Sequence, residues 1–196
     1  MTRYPSIPAP RYDVTTGQGT ARLAGFTETM STRRSIRQFS SRPVPTHLIE
    51  QAIAVAGSAP SDYNLQPWRF VVVADPDLKR AVRAGAEAEE GALAGKPYLE
   101  TAPYLIVVFE ILQREGARPH HGAESVGIAV GFLLAALHHA GLATLVHGPS
   151  PRTLNEILDR PAGERPYAIV PVGYPADNAV VPAIPKKPLS EILIHR

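Results

Sequence analysis

The chain has 196 residues, of which 44% are hydrophobic, and its 20 Lys+Arg nearly balance its 18 Asp+Glu. These values are typical of one core-forming domain and exclude the basic excess of nucleic-acid or membrane-surface proteins. The chain has no cysteine, which excludes disulfides, zinc ribbons and iron–sulfur clusters. No apolar stretch reaches the roughly 20 residues that span a bilayer, and no apolar signal segment opens the chain. We therefore expect a cytoplasmic protein without a metal, nucleic-acid or membrane partner.

The predicted elements begin after a segment without periodicity. Residues 1–24 contain three prolines and two glycines, which predicts an extended or disordered N-terminal arm, and residues 25–196 are expected to form a single domain. Helices are predicted from Thr46, and from Pro76 to Glu90 with Asp75 as the N-cap. A further helix over 124–140 is apolar on nearly every face, which indicates the centre of the core.

Short β-branched runs predict the strands, and a short helix is expected near 152–158. The strand runs are 70–73, 104–109, 143–146 and 168–172. Strands and helices alternate along the chain, which favours an α/β or α+β fold with a mixed sheet.

Two polar segments could carry chemistry. Three arginines, Arg33, Arg34 and Arg37, flank Ser35 within five residues, a set that suits a phosphate group but also a solvated basic face. The loop Ala59–Trp68 packs hydroxyl and amide side chains, among them Asn64, between two prolines. Such a loop could bind a planar heteroaromatic ligand, or its amides could only satisfy the local backbone.

Three common motifs of nucleotide-binding and hydrolase sites are absent from the sequence. It has no G-x-G-x-x-G, no G-x-x-x-x-G-K-[ST] and no G-x-S-x-G, so a Rossmann, P-loop or nucleophile-elbow site is not expected.

The two segments together resemble the nitroreductase family of FMN-dependent oxidoreductases. The resemblance rests on Arg-Arg-Ser-Ile-Arg-Gln-Phe at 33–39, Ala-Pro-Ser-x-x-Asn-x-Gln-Pro-Trp at 59–68, the small-residue helix and Val-Gly-Tyr-Pro at 172–175. The segments 75–79, 98–103 and 185–192 are similar to the iodotyrosine deiodinase branch. The family implies an α+β, three-layer fold with a central mixed sheet between helices, in an intertwined homodimer with FMN at the subunit interface.

The resemblance also implies a role for individual positions. FMN itself would supply the redox chemistry, so no catalytic side chain is expected. The cofactor-binding positions implied are Arg33, Arg34, Ser35, Arg37, Pro60, Ser61, Asn64, Val146, His147, Gly148 and Lys186. Tyr63, Glu90 and Lys96 are possible substrate residues.

Two departures from the deiodinase pattern determine the expected activity. Only residues 89–96 occupy the interval of a long lid, and Gly148 stands where deiodinases place a hydroxyl near flavin N5. These departures favour hydride transfer from NAD(P)H to a nitroaromatic, quinone or related acceptor by a ping-pong route. One alternative is a reductive dehalogenase or amino-acid-directed reductase, with Lys96 and Glu90 on a zwitterion. A second alternative is a non-catalytic module that binds FMN or another phosphate-bearing ligand.

Overall fold

The computed structural model describes residues 8–11, 13–90, 95–113, 116, 119–148 and 153–196, without the side chains of residues 89 and 90. The chain divides into two compact units, residues 1–33 and residues 34–196.

The first unit contains helix α1, Thr16–Ser31. The Thr15 side chain accepts a hydrogen bond from the Gln18 amide, and the Gln18 side chain accepts one from the Thr15 amide. This capping box starts a helix despite two glycines. The prediction of an extended or disordered arm is therefore wrong for residues 16–24, whereas the proposed domain boundary after residue 24 stays a prediction beside the observed division after residue 33.

The second unit contains all the strands and the remaining helices. In chain order the elements are α2 (Thr46–Gly57), a 3-10 turn (Asp62–Asn64), β1 (Trp68–Val73), α3 (Pro76–Glu90), α4 (Tyr98–Thr101), β2 (Tyr104–Ile111), α5 (Gly122–His139), β3 (Ala143–Thr144), α6 (Leu154–Ile157), β4 (Glu164–Gly173) and α7 (Leu189–Ile192). The N-cap prediction for α3 is confirmed, because Asp75 Oδ1 accepts hydrogen bonds from the amides of Asp77 and Leu78, each at 2.9 Å.

The strands form one sheet in the order β1-β2-β4-β3, and all three pairings are antiparallel. An isolated parallel bridge joins Ser35, which lies outside the four strands of the sheet, to Thr144 of β3. Strand β2 lies at the centre, and its residues 105–110 are buried because both faces of the sheet are covered.

Helices cover both faces of the sheet. Ile106 and Val108 pack on the side of α2 and α5, and Leu105 and Val107 pack on the side of α3, α4 and α6. Alternate residues of one strand therefore enter two separate cores, as the side-chain period of two requires. The expected three-layer α+β fold is confirmed.

Helix α5 packs against the sheet in the core. It is long and apolar enough to cross a membrane by composition, but Val126, Leu133 and Leu137 lie in the core against the sheet. Gly141 ends the helix with a φ of 78°, and the Leu142 amide donates to the Leu137 carbonyl at 2.9 Å. This left-handed cap turns the chain directly into β3.

Candidate cofactor site

Residues 34–37, the arginine segment, run along the β3 edge of the sheet. The Ile36 amide donates to the Thr144 carbonyl at 3.0 Å, next to the parallel bridge that involves Ser35. Ser35 and Arg37 are exposed, and Arg34 is half-buried. Extended backbone therefore holds two arginines and a hydroxyl beside the sheet. Arg33 ends the first unit, where its amide donates to the Met30 carbonyl at 3.2 Å.

Residues 146–148 continue β3 along β4. His147 exchanges two backbone hydrogen bonds with Ile169, at 2.8 and 3.0 Å, and its side chain is buried. Val146 and Gly148, on either side, are exposed. The segment 146–148 is thus a rigid edge with two accessible positions on the same edge as the arginine segment.

Tyr98 of α4 connects this edge to the arginine segment. Its hydroxyl lies 3.4 Å from His147 Nδ1, and the two rings meet edge to face with centroids 6.3 Å apart. The Arg37 guanidinium carbon lies 6.0 Å from the centre of the same tyrosine ring, within cation–π range. Tyr98 was not among the predicted site residues, although it lies in the deiodinase-like segment 98–103, which was the available signal.

The loop before β1 lies at the other end of α5. The Asp62 amide donates to Ser125 Oγ at 3.3 Å, in the first turns of α5, and the Gln66 amide donates to Ser61 Oγ at 2.9 Å. Pro60 and Asn64 are exposed, and Tyr63 is 63% exposed.

The backbone of this loop is strained. Tyr63, Asn64 and Gln66 all have a positive φ, between 47° and 57°. Asparagine tolerates that region, but tyrosine and glutamine rarely enter it, and such strain concentrates at functional sites. Residue types alone did not reveal this feature.

One chain does not bring the loop and the β3 edge together. Ser61 and Ser35 lie near opposite ends of α5, a helix of 18 residues that is about 27 Å long. The loop also leads into β1, which is separated from β3 by three strand spacings of about 4.8 Å each. The two groups are therefore about 20 Å apart or more in one copy. A single fused ring system cannot reach both.

The proposed substrate lysine is buried beside α4. The Lys96 side chain is 7% exposed, and its amide donates to Glu87 Oε1 at 2.5 Å. Glu90 is the last residue of α3, but its side chain lies outside the described residues. Lys186 is exposed in the segment that follows β4. The roles of these residues stay predictions.

Residues 30–174 match the Nitroreductase family. The chain is 43% identical to an iodotyrosine deiodinase of Haliscomenobacter hydrossis over 89% of its own length and 90% of that protein. It is 38% identical to an iodotyrosine deiodinase of Nematostella vectensis, over 96% and 82% of the two chains. A solved iodotyrosine deiodinase bound to FMN and 3-iodo-L-tyrosine superposes with a TM-score of 0.75 at 30% identity, over 87% of this chain and 97% of that one.

These similarities correct the expected activity. The shortened lid and Gly148 favoured an NAD(P)H-dependent reductase of nitroaromatics or quinones, yet the relatives at 38–43% identity over most of the chain are deiodinases. That expectation is wrong, and the comparisons favour the dehalogenase alternative. As evidence for the activity, similarity over most of the chain is stronger than two local departures, the shortened lid and the missing hydroxyl.

Proposed function

The chain belongs to the nitroreductase family, and on that basis we propose that it is an FMN-dependent reductive dehalogenase of halogenated aromatic amino acids. The observation that carries the proposal is the 43% identity to a deiodinase over 90% of that protein. Halogenated tyrosines are the substrate class, because the similar structure holds 3-iodo-L-tyrosine.

The donor set fits FMN. Arg33, Arg34 and Arg37 offer guanidinium groups that bind a phosphate dianion in bidentate geometry. Val146 and Gly148 are exposed at the sheet edge, where a flat ring could lie against them. These residues would hold the phosphate and the ring, with Lys186 as a further cation from the C-terminal segment.

We further propose that each FMN site is shared between two copies of the chain. One copy would supply the arginines and residues 146–148, and the second would supply Pro60, Ser61 and Asn64. The separation of about 20 Å within one copy supports this arrangement, because both groups are expected on the same ring.

Two exposed apolar surfaces support a homodimer. On α5, Ile128 and Phe132 are 44% and 40% exposed, and Gly131 lies between them with open space around its Cβ position. The C-terminal segment exposes further aliphatic side chains, Val180, Ile184, Leu189, Ile192 and Ile194. An exposed apolar stripe on a core helix is typical of a surface that a second subunit covers.

A substitution on that stripe tests the dimer. A Cβ added at Gly131 meets no atom within 4 Å beyond the local helix backbone, so we expect the Gly131→Leu subunit to fold normally. We expect the variant to sediment as a monomer, whereas Gly57→Ala, which also has open space on α2, should stay dimeric. A Gly131→Leu dimer as tight as the wild type would contradict the proposed interface.

The proposed reaction replaces a carbon–halogen bond with a carbon–hydrogen bond and needs two electrons and one proton per halide released. FMN, when bound and reduced by an external two-electron donor, would supply the electrons. The protein's part is to hold the aromatic ring against the flavin face and to anchor the amino-acid end, and we assign the anchoring to Lys96. An ammonium in a buried side chain binds a carboxylate strongly, because little water competes for either charge.

Halide release tests the proposal directly. The protein is loaded with FMN, reduced anaerobically with dithionite and mixed with 3-iodo-L-tyrosine, with free reduced FMN as the control. We expect equal amounts of iodide and tyrosine, and reoxidised flavin. Bound flavin that stays reduced, with no iodide released, would overturn the proposed activity. The remaining alternative would then be a non-catalytic module that binds FMN.

A further inference from the structure

The backbone of Lys96 is held on both sides. Its N–H donates to Glu87 Oε1 at 2.5 Å, and its carbonyl accepts the Leu99 amide at 3.0 Å in the first turn of α4. A residue whose two peptide groups are both hydrogen-bonded cannot rotate without losing one of them. Glu87 and α4 therefore fix the position of the Lys96 backbone, from which its side chain extends.

A second residue of α3 fixes the Glu87 carboxylate. Arg83 Nε donates to Glu87 Oε1 at 2.8 Å, and Arg83 Nη1 donates to Glu100 Oε1 of α4 at 3.1 Å. The pKa of Glu87 is lowered, first by the hydrogen bond from the Lys96 amide and then by that from Arg83. The carboxylate is thus ionised at neutral pH and is hydrogen-bonded both to Arg83 of α3 and to the Lys96 amide ahead of α4.

We propose that Glu87 is a specificity-determining positioning residue, which holds Lys96 where its ammonium meets the carboxylate of an amino-acid substrate. This inference rests on the proposed function. A lysine whose backbone is held in place before binding has less conformational freedom to lose when the substrate arrives. Loss of Glu87 should therefore weaken the binding of substrates that carry an amino-acid group, and should spare halogenated phenols that lack one.

A purely structural role predicts a different result. If the network of Arg83, Glu87 and Glu100 only joins α3 to α4, its loss lowers the melting temperature and affects all substrates equally. The ratio of KM values for 3-iodo-L-tyrosine and 2-iodophenol separates the two roles, because the phenol lacks the group that Lys96 would bind.

The test uses the FMN-loaded protein with Glu87→Leu and Glu87→Gln. With Glu87→Leu we expect the KM and the calorimetric Kd for 3-iodo-L-tyrosine to rise about tenfold, since a hydrogen bond to a charged group is lost. Glu87→Gln should show a smaller rise, because its amide oxygen still accepts the Lys96 amide. The KM for 2-iodophenol, and kcat for both substrates, should stay within about twofold.

Asp77→Asn is the matched control. It removes an exposed ion pair with Arg80 on the same helix and should change neither KM. Equal KM changes for both substrates, or none, would overturn the inference, and Glu87→Gln decides alone if Glu87→Leu does not fold. A wild-type protein that releases iodide from neither substrate would instead overturn the proposed function.

Discussion

The Ile36 amide and the Thr144 carbonyl form a 3.0 Å hydrogen bond that fastens the arginine segment to the β3 edge. At the far end of α5, the Asp62 amide binds Ser125 Oγ and fastens the polar loop there. The arginine segment and the polar loop were both predicted to bind one cofactor, yet these two contacts hold them at opposite corners of the sheet. On the proposed function, each copy would supply two half-sites, and a homodimer would join each half-site to its complement.

Tyr63→Gly should stabilise the protein and impair the loop. Tyr63 has φ 48° and ψ 24°, and its side chain is mostly exposed. Relief of the left-handed conformation, about 1–2 kcal/mol, exceeds the backbone entropy that glycine adds, about 0.5–1 kcal/mol. We expect the free energy of unfolding in urea to rise by up to about 1 kcal/mol while FMN affinity falls.

Asn64→Gly is the control for this change, because asparagine tolerates the left-handed region and little strain is relieved. A Tyr63→Gly variant that unfolds at lower urea than the wild type would show that the side chain stabilises the loop more than its backbone strains it.

Gly148→Ser should increase the rate of dehalogenation. The nearest atom to a Cβ at this position is the Tyr167 carbonyl oxygen at 4.0 Å, so a serine fits without displacement. In the deiodinases that the sequence resembles, a hydroxyl at this place lies near flavin N5, and the substitution would restore it. We expect kcat for iodide release to rise about tenfold, in line with one added hydrogen bond to the reacting centre.

Gly148→Ala separates the hydroxyl from the bulk of the side chain and should leave kcat near the wild-type value. If serine and alanine change kcat equally, the hydroxyl has no part in the effect.

Glu164 should make stability depend on acid pH. Its carboxylate accepts Arg160 Nε at 2.8 Å and Arg69 Nε at 3.3 Å, and its pKa is lowered from 4.5 mainly by the hydrogen bond from Arg160. Since the folded pKa lies below the unfolded value, this stabilisation is present above about pH 4.5 and is lost as the pH falls through the folded pKa.

Glu164→Gln should therefore lower the free energy of unfolding by about 1–3 kcal/mol at neutral pH. The difference from the wild type should shrink as the pH falls below about 4.5 and through the lowered pKa of Glu164, measured by urea unfolding across the acid range. A difference that stays constant with pH would mean that the carboxylate charge contributes nothing.

Most of the central fold could be predicted from the sequence, because each signal was local. The β-branched runs located β1, β2 and β4, and Asp75 marked the start of α3. Helix α1 was not predicted, because the prolines and glycines of residues 1–24 indicated an irregular arm although Thr15 begins a capping box.

The arrangement of the site could not be read in the same way. Sequence order places the arginines and the polar loop within about 30 residues of each other, yet α2 carries the chain across the sheet between them. The positive φ of Tyr63 and Gln66 runs against the preference of both residue types, so the sequence did not predict it.

Mixing two inactive variants tests most directly whether one FMN site is shared between two copies. Arg34→Ala/Arg37→Ala removes cations from the β3 edge, and Pro60→Trp places bulk on the exposed loop. Each homodimer should lose FMN, whereas a heterodimer has one site with both defects and one with neither. After subunits exchange at random, we expect bound flavin to return in about a quarter of all sites. Heterodimers that form but bind no FMN would contradict a shared site.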